Sequence, residues 1–176
     1  MIMNQAVADM YETIKKQYAS LTKYFIANSL TVSTMESMTG GLIASLLTDT
    51  EGASAIMKGA FVTYSNEAKM KQGVPSVTID TYGVYSKETA FAMAKACRET
   101  YASDIGIGIT GSASNIDLNN ADSIPGIVYI AVVYEDGMIA SEFKMPMYET
   151  RLEYKFCAAE YVYKMLTKIY TAIESE

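Results

Sequence analysis

The chain has 176 residues, 50% of them hydrophobic and 19% charged, which is globular composition and excludes a disordered chain. Its net charge of -6 works against nonspecific nucleic-acid binding, which depends on lysine and arginine at phosphates, so no nucleic-acid partner is expected. Histidine is absent, which excludes Ser-His-Asp and Cys-His catalysis, argues against zinc, and leaves Lys, Tyr, Cys or a carboxylate for acid–base work.

No apolar run is long enough to span a bilayer, and Met1 to Tyr11 lacks the basic end and apolar centre of a signal peptide. A cytoplasmic protein with no membrane partner is expected. Residues 4 to 28 carry Val7, Ile14, Tyr18, Leu21 and Phe25 at helical spacing, uninterrupted by Gly or Pro. That predicts a long amphipathic helix over 1–28 that packs on the core. Leu30 to Met35 alternates and is β-branched, so it predicts a strand. Glu36-Ser37-Met38-Thr39-Gly40-Gly41 follows, then an apolar helical run that ends near Asp49. A second strand is predicted over Gly59 to Tyr64, with Ser65 capping a short helix. Pro75 to Gly83 reads as a loop with a short helical stretch, and Ser86 caps a helix that runs through Tyr101. Asp104 to Thr110 predicts a third strand, and the polar run Gly111 to Asp122 an exposed loop. Gly126 to Tyr134 and Met138 to Met145 predict a hairpin, and Tyr148 to Ile173 a last helix. The cysteines, Cys97 and Cys157, form no motif and are expected to be buried apolar residues.

Helices interleaved with strands, plus one hairpin, predict one α/β domain with a mixed sheet covered by helices on both faces. The early strands should be parallel and buried, with their carboxyl ends facing the ligand site.

Ser37 lies where a strand turns into a helix, a place where a side chain stands above the sheet and backbone N–H groups favour negative charge. Such a serine can attack a carbonyl; equally, Ser37 or Thr39 can simply cap the helix while the glycines permit the turn. Tyr64 and Lys69 stand at the end of one strand and one turn into the next helix. A desolvated lysine there can serve as a base, although a solvated helix start accounts for the same residues. Gly106-Ile107-Gly108-Ile109-Thr110-Gly111 matches G-x-G-x-x-G literally. Its glycines sit inside a strand and no helix follows, so they indicate close backbone or ligand approach rather than a dinucleotide fingerprint. Arg151, opening the last helix, can hold a phosphate or be an ordinary surface arginine.

Together these segments resemble the CinA C-terminal domain family, the competence/damage-inducible family. The matching signatures are Glu36-Ser37-x-Thr39-Gly40-Gly41-Leu42-Ile43-Ala44, then Val62-Thr63-Tyr64-Ser65-Asn66-Glu67-Ala68-Lys69. Thr110-Gly111, Gly126-x-Val128-Tyr129-Ile130-Ala131 and the Arg151 segment follow in the family's order. The resemblance spans roughly residues 30 to 170. It implies a three-layer α/β/α sandwich and, in active bacterial members, a nicotinamide mononucleotide deamidase, an amidohydrolase that releases ammonia without metal or cofactor. By the same resemblance Ser37 is the nucleophile, activated by Tyr64 and Lys69. Backbone N–H groups near Gly40 would hold the oxyanion. Substrate contacts would come from Thr39, Gly40, Gly41, Asn66, Thr110, Gly111 and Arg151, the last at the phosphate. A small nucleotide amide as substrate, a stand-alone form of the domain and a homodimer are the further expectations.

The chain departs from the family at the exit of the third strand. The family's Thr-Gly-x-Ala-Gly-Pro is here Thr110-Gly111-Ser112-Ala113-Ser114-Asn115, and the lysine of its Lys-Pro-Val-Gly is missing from Ser123-Ile124-Pro125-Gly126. The second basic position of the last helix is Lys155 rather than arginine. These changes bear on the substrate more than on the reaction type. They admit two alternatives: a nucleotide-binding relative with no turnover or a changed substrate, and an interaction protein linked to competence or damage.

Overall fold

In the computed structural model, residues 5–170 are described. Residues 1–4 of the first predicted helix and residues 171–173 of the last lie outside them. The elements run α1 (Gln5–Ala27), β1 (Val32–Glu36), α2 (Leu42–Thr48), β2 (Met57–Val62), α3 (Asn66–Lys71), α4 (Ser76–Tyr82), α5 (Lys87–Tyr101), β3 (Ile105–Ser112), β4 (Ile127–Tyr134), β5 (Gly137–Lys144) and α6 (Arg151–Ile169). A single 3-10 turn at Ala53–Ala55 precedes β2.

The five strands form one mixed sheet in the order β2-β1-β3-β4-β5. β1 pairs parallel with both β2 and β3, while β4 and β5 add on antiparallel. This is the α/β architecture expected from the sequence. The chain leaves β1 for β2 on one side and returns to β3 on the other. The sheet's connectivity therefore reverses at β1, and ligands of open α/β sheets bind beyond the carboxyl ends at such a point.

β1 and β3 are buried along their whole length. β2 is not: its residues alternate between half-buried and exposed. The expectation that all the early strands are buried fails at β2, because β2 is the sheet edge.

The two faces of β3 differ in residue type for a packing reason. Ile105, Ile107 and Ile109 point into a large cluster with α1 and α6, including Leu21, Phe25 and Leu166. Burial of each such side chain contributes roughly 1.5–3 kcal/mol. Gly106 and Gly108 face α5 instead. A Cβ on Gly108 would stand 2.1 Å from the Ala90 carbonyl oxygen, and one on Gly106 would stand 2.2 Å from that of Ala94. The glycines therefore let α5 lie against the sheet backbone. Of the two readings of this motif, close backbone approach is the one that applies.

Both cysteines are free and buried; burial pushes the Cys97 thiol up to about 11. No described helix is long and apolar enough to cross a membrane.

Candidate active site

β1 delivers Glu36 to the sheet's carboxyl end with its side chain fully buried. The carboxylate accepts from the N–H groups of Gly41 (3.0 Å), Ile43 (3.1 Å) and Ala44 (2.9 Å), and from the Thr34 hydroxyl (3.1 Å). Hydrogen bonds to a charged acceptor are the strong kind, and negative charge is favoured at a helix start. Glu36 thus ties the beginning of α2 back onto β1 and fixes the turn between them. Gly40 and Gly41 take φ values of 63° and 94°, a left-handed conformation that glycine adopts without steric cost.

This arrangement narrows the expected oxyanion site. The amides around Gly40 are already engaged: Gly40 donates to the Ser37 carbonyl (3.0 Å) and Leu42 to that of Thr39 (3.3 Å), while Gly41 donates to Glu36. Among the described residues, nothing accepts from the N–H groups of Met38 and Thr39.

Lys69 is reached through a cap. The Ser65 side chain accepts from the Ala68 N–H (3.1 Å) and starts α3. One turn later Lys69 points inward, only 2% exposed. Its Nζ donates to Ser37 Oγ (3.2 Å) and to the Thr63 carbonyl (3.0 Å). Burial lowers the Lys69 pKa to about 8, and the Asp117 carboxylate opposes that shift. A lysine in this condition is partly neutral near physiological pH and can take a proton from the serine it touches.

The Tyr64 hydroxyl bonds to Arg151 and not to Ser37. The residue is 62% exposed, and its hydroxyl accepts from Arg151 Nη2 at 2.9 Å. Arg151 opens α6 behind a capping box formed by Thr150 and Glu153. Lys155, one turn along, brings its Nζ to 3.3 Å from where a Gly40 Cβ would stand.

Two open clefts meet at Ser37. One, of ≈ 270 Å³, also has Tyr64, Gly111 and Arg151 in its walls. The other, of ≈ 380 Å³, adds Asn66 and Lys69. Thr39 and Thr110 are wholly buried. The Thr110 hydroxyl donates to the Val84 carbonyl (3.0 Å), and the Thr39 hydroxyl has no partner. Gly40 and Gly41 line neither cleft.

Sequence reasoning missed the far wall. The segment after β3 folds back over the site on side-chain hydrogen bonds. Asp117 Oδ2 accepts from the Tyr85 hydroxyl (2.6 Å) and from Asn120 Nδ2 (2.6 Å). Asn120 Oδ1 accepts from Asn66 Nδ2 (2.7 Å), and Asp122 Oδ2 accepts from the Tyr85 N–H (2.7 Å). Asp117, Asn119 and Tyr85 line both clefts. The available signal was the density of Asn and Asp, residues that hydrogen-bond locally and hold a loop in shape. Glu36 was also missed as a structural element, although it stands in the serine motif. Among the described residues no group of three or more Cys, Asp or Glu side chains is placed to hold a metal ion.

The fold and this site define an α/β domain with a buried Ser–Lys pair at the carboxyl ends of its parallel strands. A family model described as CinA C-terminal domain matches residues 14–170. The chain belongs to that family. A CinA-like protein of Geotalea uraniireducens is 37% identical over 164 residues, which is 92% of this chain and 38% of that protein. A protein of Acetivibrio thermocellus named for competence-damage induction is 40% identical over 124 residues, 70% of this chain and 30% of its own length. The aligned segment is thus about a third of these relatives. Among solved structures, the competence/damage inducible protein CihA of Agrobacterium tumefaciens superposes with a TM-score of 0.79 at 30% identity, covering 92% of this chain and 95% of that one. A CinA superfamily protein of Escherichia coli gives 0.80 at 23% identity, over 96% and 94% of the two chains, a likeness of fold.

Proposed function

We propose that the chain is an amidohydrolase that hydrolyses the carboxamide of nicotinamide mononucleotide or a closely similar nucleotide amide. The observation that carries this reading is the 3.2 Å contact between Lys69 Nζ and Ser37 Oγ, in a cleft wall where burial lowers the lysine pKa to about 8.

Neutral Lys69 takes the Ser37 proton directly; Tyr64 is not needed as a relay. Ser37 Oγ bonds to the carboxamide carbon, and the N–H groups of Met38 and Thr39 receive the developing oxyanion, in the position that follows a nucleophile in acyl transfer. The carbon–nitrogen bond breaks as Lys69 returns the proton to the leaving nitrogen, giving ammonia and an acyl-enzyme. Water, deprotonated by the same lysine, cleaves the ester and frees nicotinic acid mononucleotide. Arg151, steadied by Tyr64, takes the phosphate with support from the start of α6.

The test is ammonia release from nicotinamide mononucleotide in metal-free buffer, beside Ser37→Ala and Lys69→Ala. Turnover lost in both variants supports the assignment. Thermal stabilisation by the mononucleotide without any ammonia would replace it with a nucleotide-binding role.

A further inference from the structure

The segment that departs from the family carries an acidic group into the site. Asp117 lines both clefts that meet at Ser37. Its carboxylate is held from two sides: Oδ2 accepts from Tyr85 and Asn120, and Oδ1 accepts from the Asn119 N–H at 2.9 Å. A carboxylate has about four acceptor positions, so these three bonds leave it one, together with its charge. The same contacts hold its carboxyl below the usual aspartate range, so it is ionised at working pH. The ion pairs among the described residues are Lys95–Glu99 and Lys164–Glu160; neither includes Asp117 or Arg151. In the smaller of the two clefts at Ser37 the charged side chains are Asp117 and Arg151, and neither has an ion-pair partner among the described residues; Glu67 and Lys69 line the larger cleft.

Resting on the amidohydrolase reading, we propose that Asp117 is a specificity-determining residue that selects amides with a positive charge close to the scissile carbonyl, while Arg151 takes an anionic group at the other end. The substrate class is a zwitterionic nucleotide amide. An N-ribosylated pyridinium ring fits this description: its ring nitrogen is cationic, its carboxamide is attached to the same ring, and its phosphate lies a ribose away. A ring of the same shape without the charge loses the attraction to Asp117 and keeps the rest.

The experiment compares nicotinamide mononucleotide with its 1,4-dihydro form, whose ring is neutral. Binding is measured by calorimetry on Ser37→Ala protein, with and without Asp117→Asn, and ammonia release is measured on protein that retains Ser37. The expected result is that the cationic ring binds about tenfold more tightly, the scale of one partly solvated charge pair, and that Asp117→Asn removes the preference. Tyr85→Phe keeps the charge and removes one support, so it keeps the preference; this separates charge recognition from collapse of the loop. Equal binding of both ligands, with turnover intact, overturns the role of Asp117 and leaves the amidohydrolase standing. A preference that Asp117→Asn removes, without ammonia from any form, supports Asp117 and overturns the amidohydrolase. Binding of neither ligand, with no turnover, overturns both.

Discussion

The turn at residues 36–41 and the loop at residues 112–126 contribute to one site, yet they keep their shapes by different means. The turn is held from inside, with three backbone N–H groups converging on the single buried carboxylate of Glu36. The loop is held from outside, by partly exposed side chains that reach across to Asn66 and Tyr85. The first kind of anchoring is inseparable from the core, because moving it unpairs buried backbone groups. The second can be exchanged residue by residue at small cost to the fold. Under the proposed function Ser37 rests on the former and substrate recognition on the latter, while Lys69 stands on the separately capped α3; a chain can then keep Ser37 and Lys69 while its loop diverges.

Four kinds of perturbation probe this division, and their expected effects descend in size. Removing the reacting groups has the largest: Ser37→Ala and Lys69→Ala each lower kcat/KM for ammonia release about a thousandfold or more, with the thermal midpoint nearly unchanged in Ser37→Ala. Breaking the internal anchor comes next. Glu36→Ala leaves three buried or half-buried N–H groups without their acceptor, and it should destabilise the fold by about 3 kcal/mol in urea titration, with activity lost at the same time. A variant of near wild-type stability would show that the turn does not depend on this carboxylate.

The third effect is on pH dependence. Activity needs neutral Lys69, so kcat/KM rises with pH through about 8. Asp117 raises the lysine pKa, so Asp117→Asn moves this limb to lower pH. Stability responds in the same direction. Between about 8 and the ordinary lysine value of 10.5, the unfolded chain holds a proton that the folded chain has released, so folding stability rises with pH in that window. Below it, the full penalty of burying the charged amine applies. The smallest effect belongs to the external anchor. Asn66→Ala removes one side-chain bond to the loop and should cost less than about 1 kcal/mol. It should nevertheless raise KM several-fold, and a kcat loss with unchanged KM would contradict a recognition role for the loop.

How much of this was legible in the sequence depended on what held each part. The alternation of isoleucine and glycine in residues 105–109 announced both a strand and a close approach, because packing against α5 excludes any Cβ on one face. The last helix starts at Arg151, three residues after its predicted beginning at Tyr148, because Thr150 and Glu153 form a capping box there. β2 starts two residues before its predicted beginning at Gly59, since Lys58 on an edge strand carries no burial signal. Ser37 and Lys69 were legible as candidates, but their contact was not, because it depends on β2 lying beside β1. The role of Glu36 was hidden because nothing in its spacing says which N–H groups its carboxylate will meet. The loop read as solvent-exposed because Asn, Asp and Ser mark turns; that the same residues clamp it over the site follows only from tertiary placement. The oxyanion expectation narrowed for a related reason: of the amides near Gly40, that of Gly41 is taken by Glu36 and that of Gly40 by the Ser37 carbonyl.

The most direct test of the central claim, that a buried lysine able to lose its proton activates Ser37, is an NMR titration of the Lys69 side chain with ¹³C at Cε, assigned through Lys69→Arg. The expected midpoint is about 8. A midpoint near the ordinary value of 10.5 would mean that Lys69 stays charged at neutral pH, and it would contradict a general-base role.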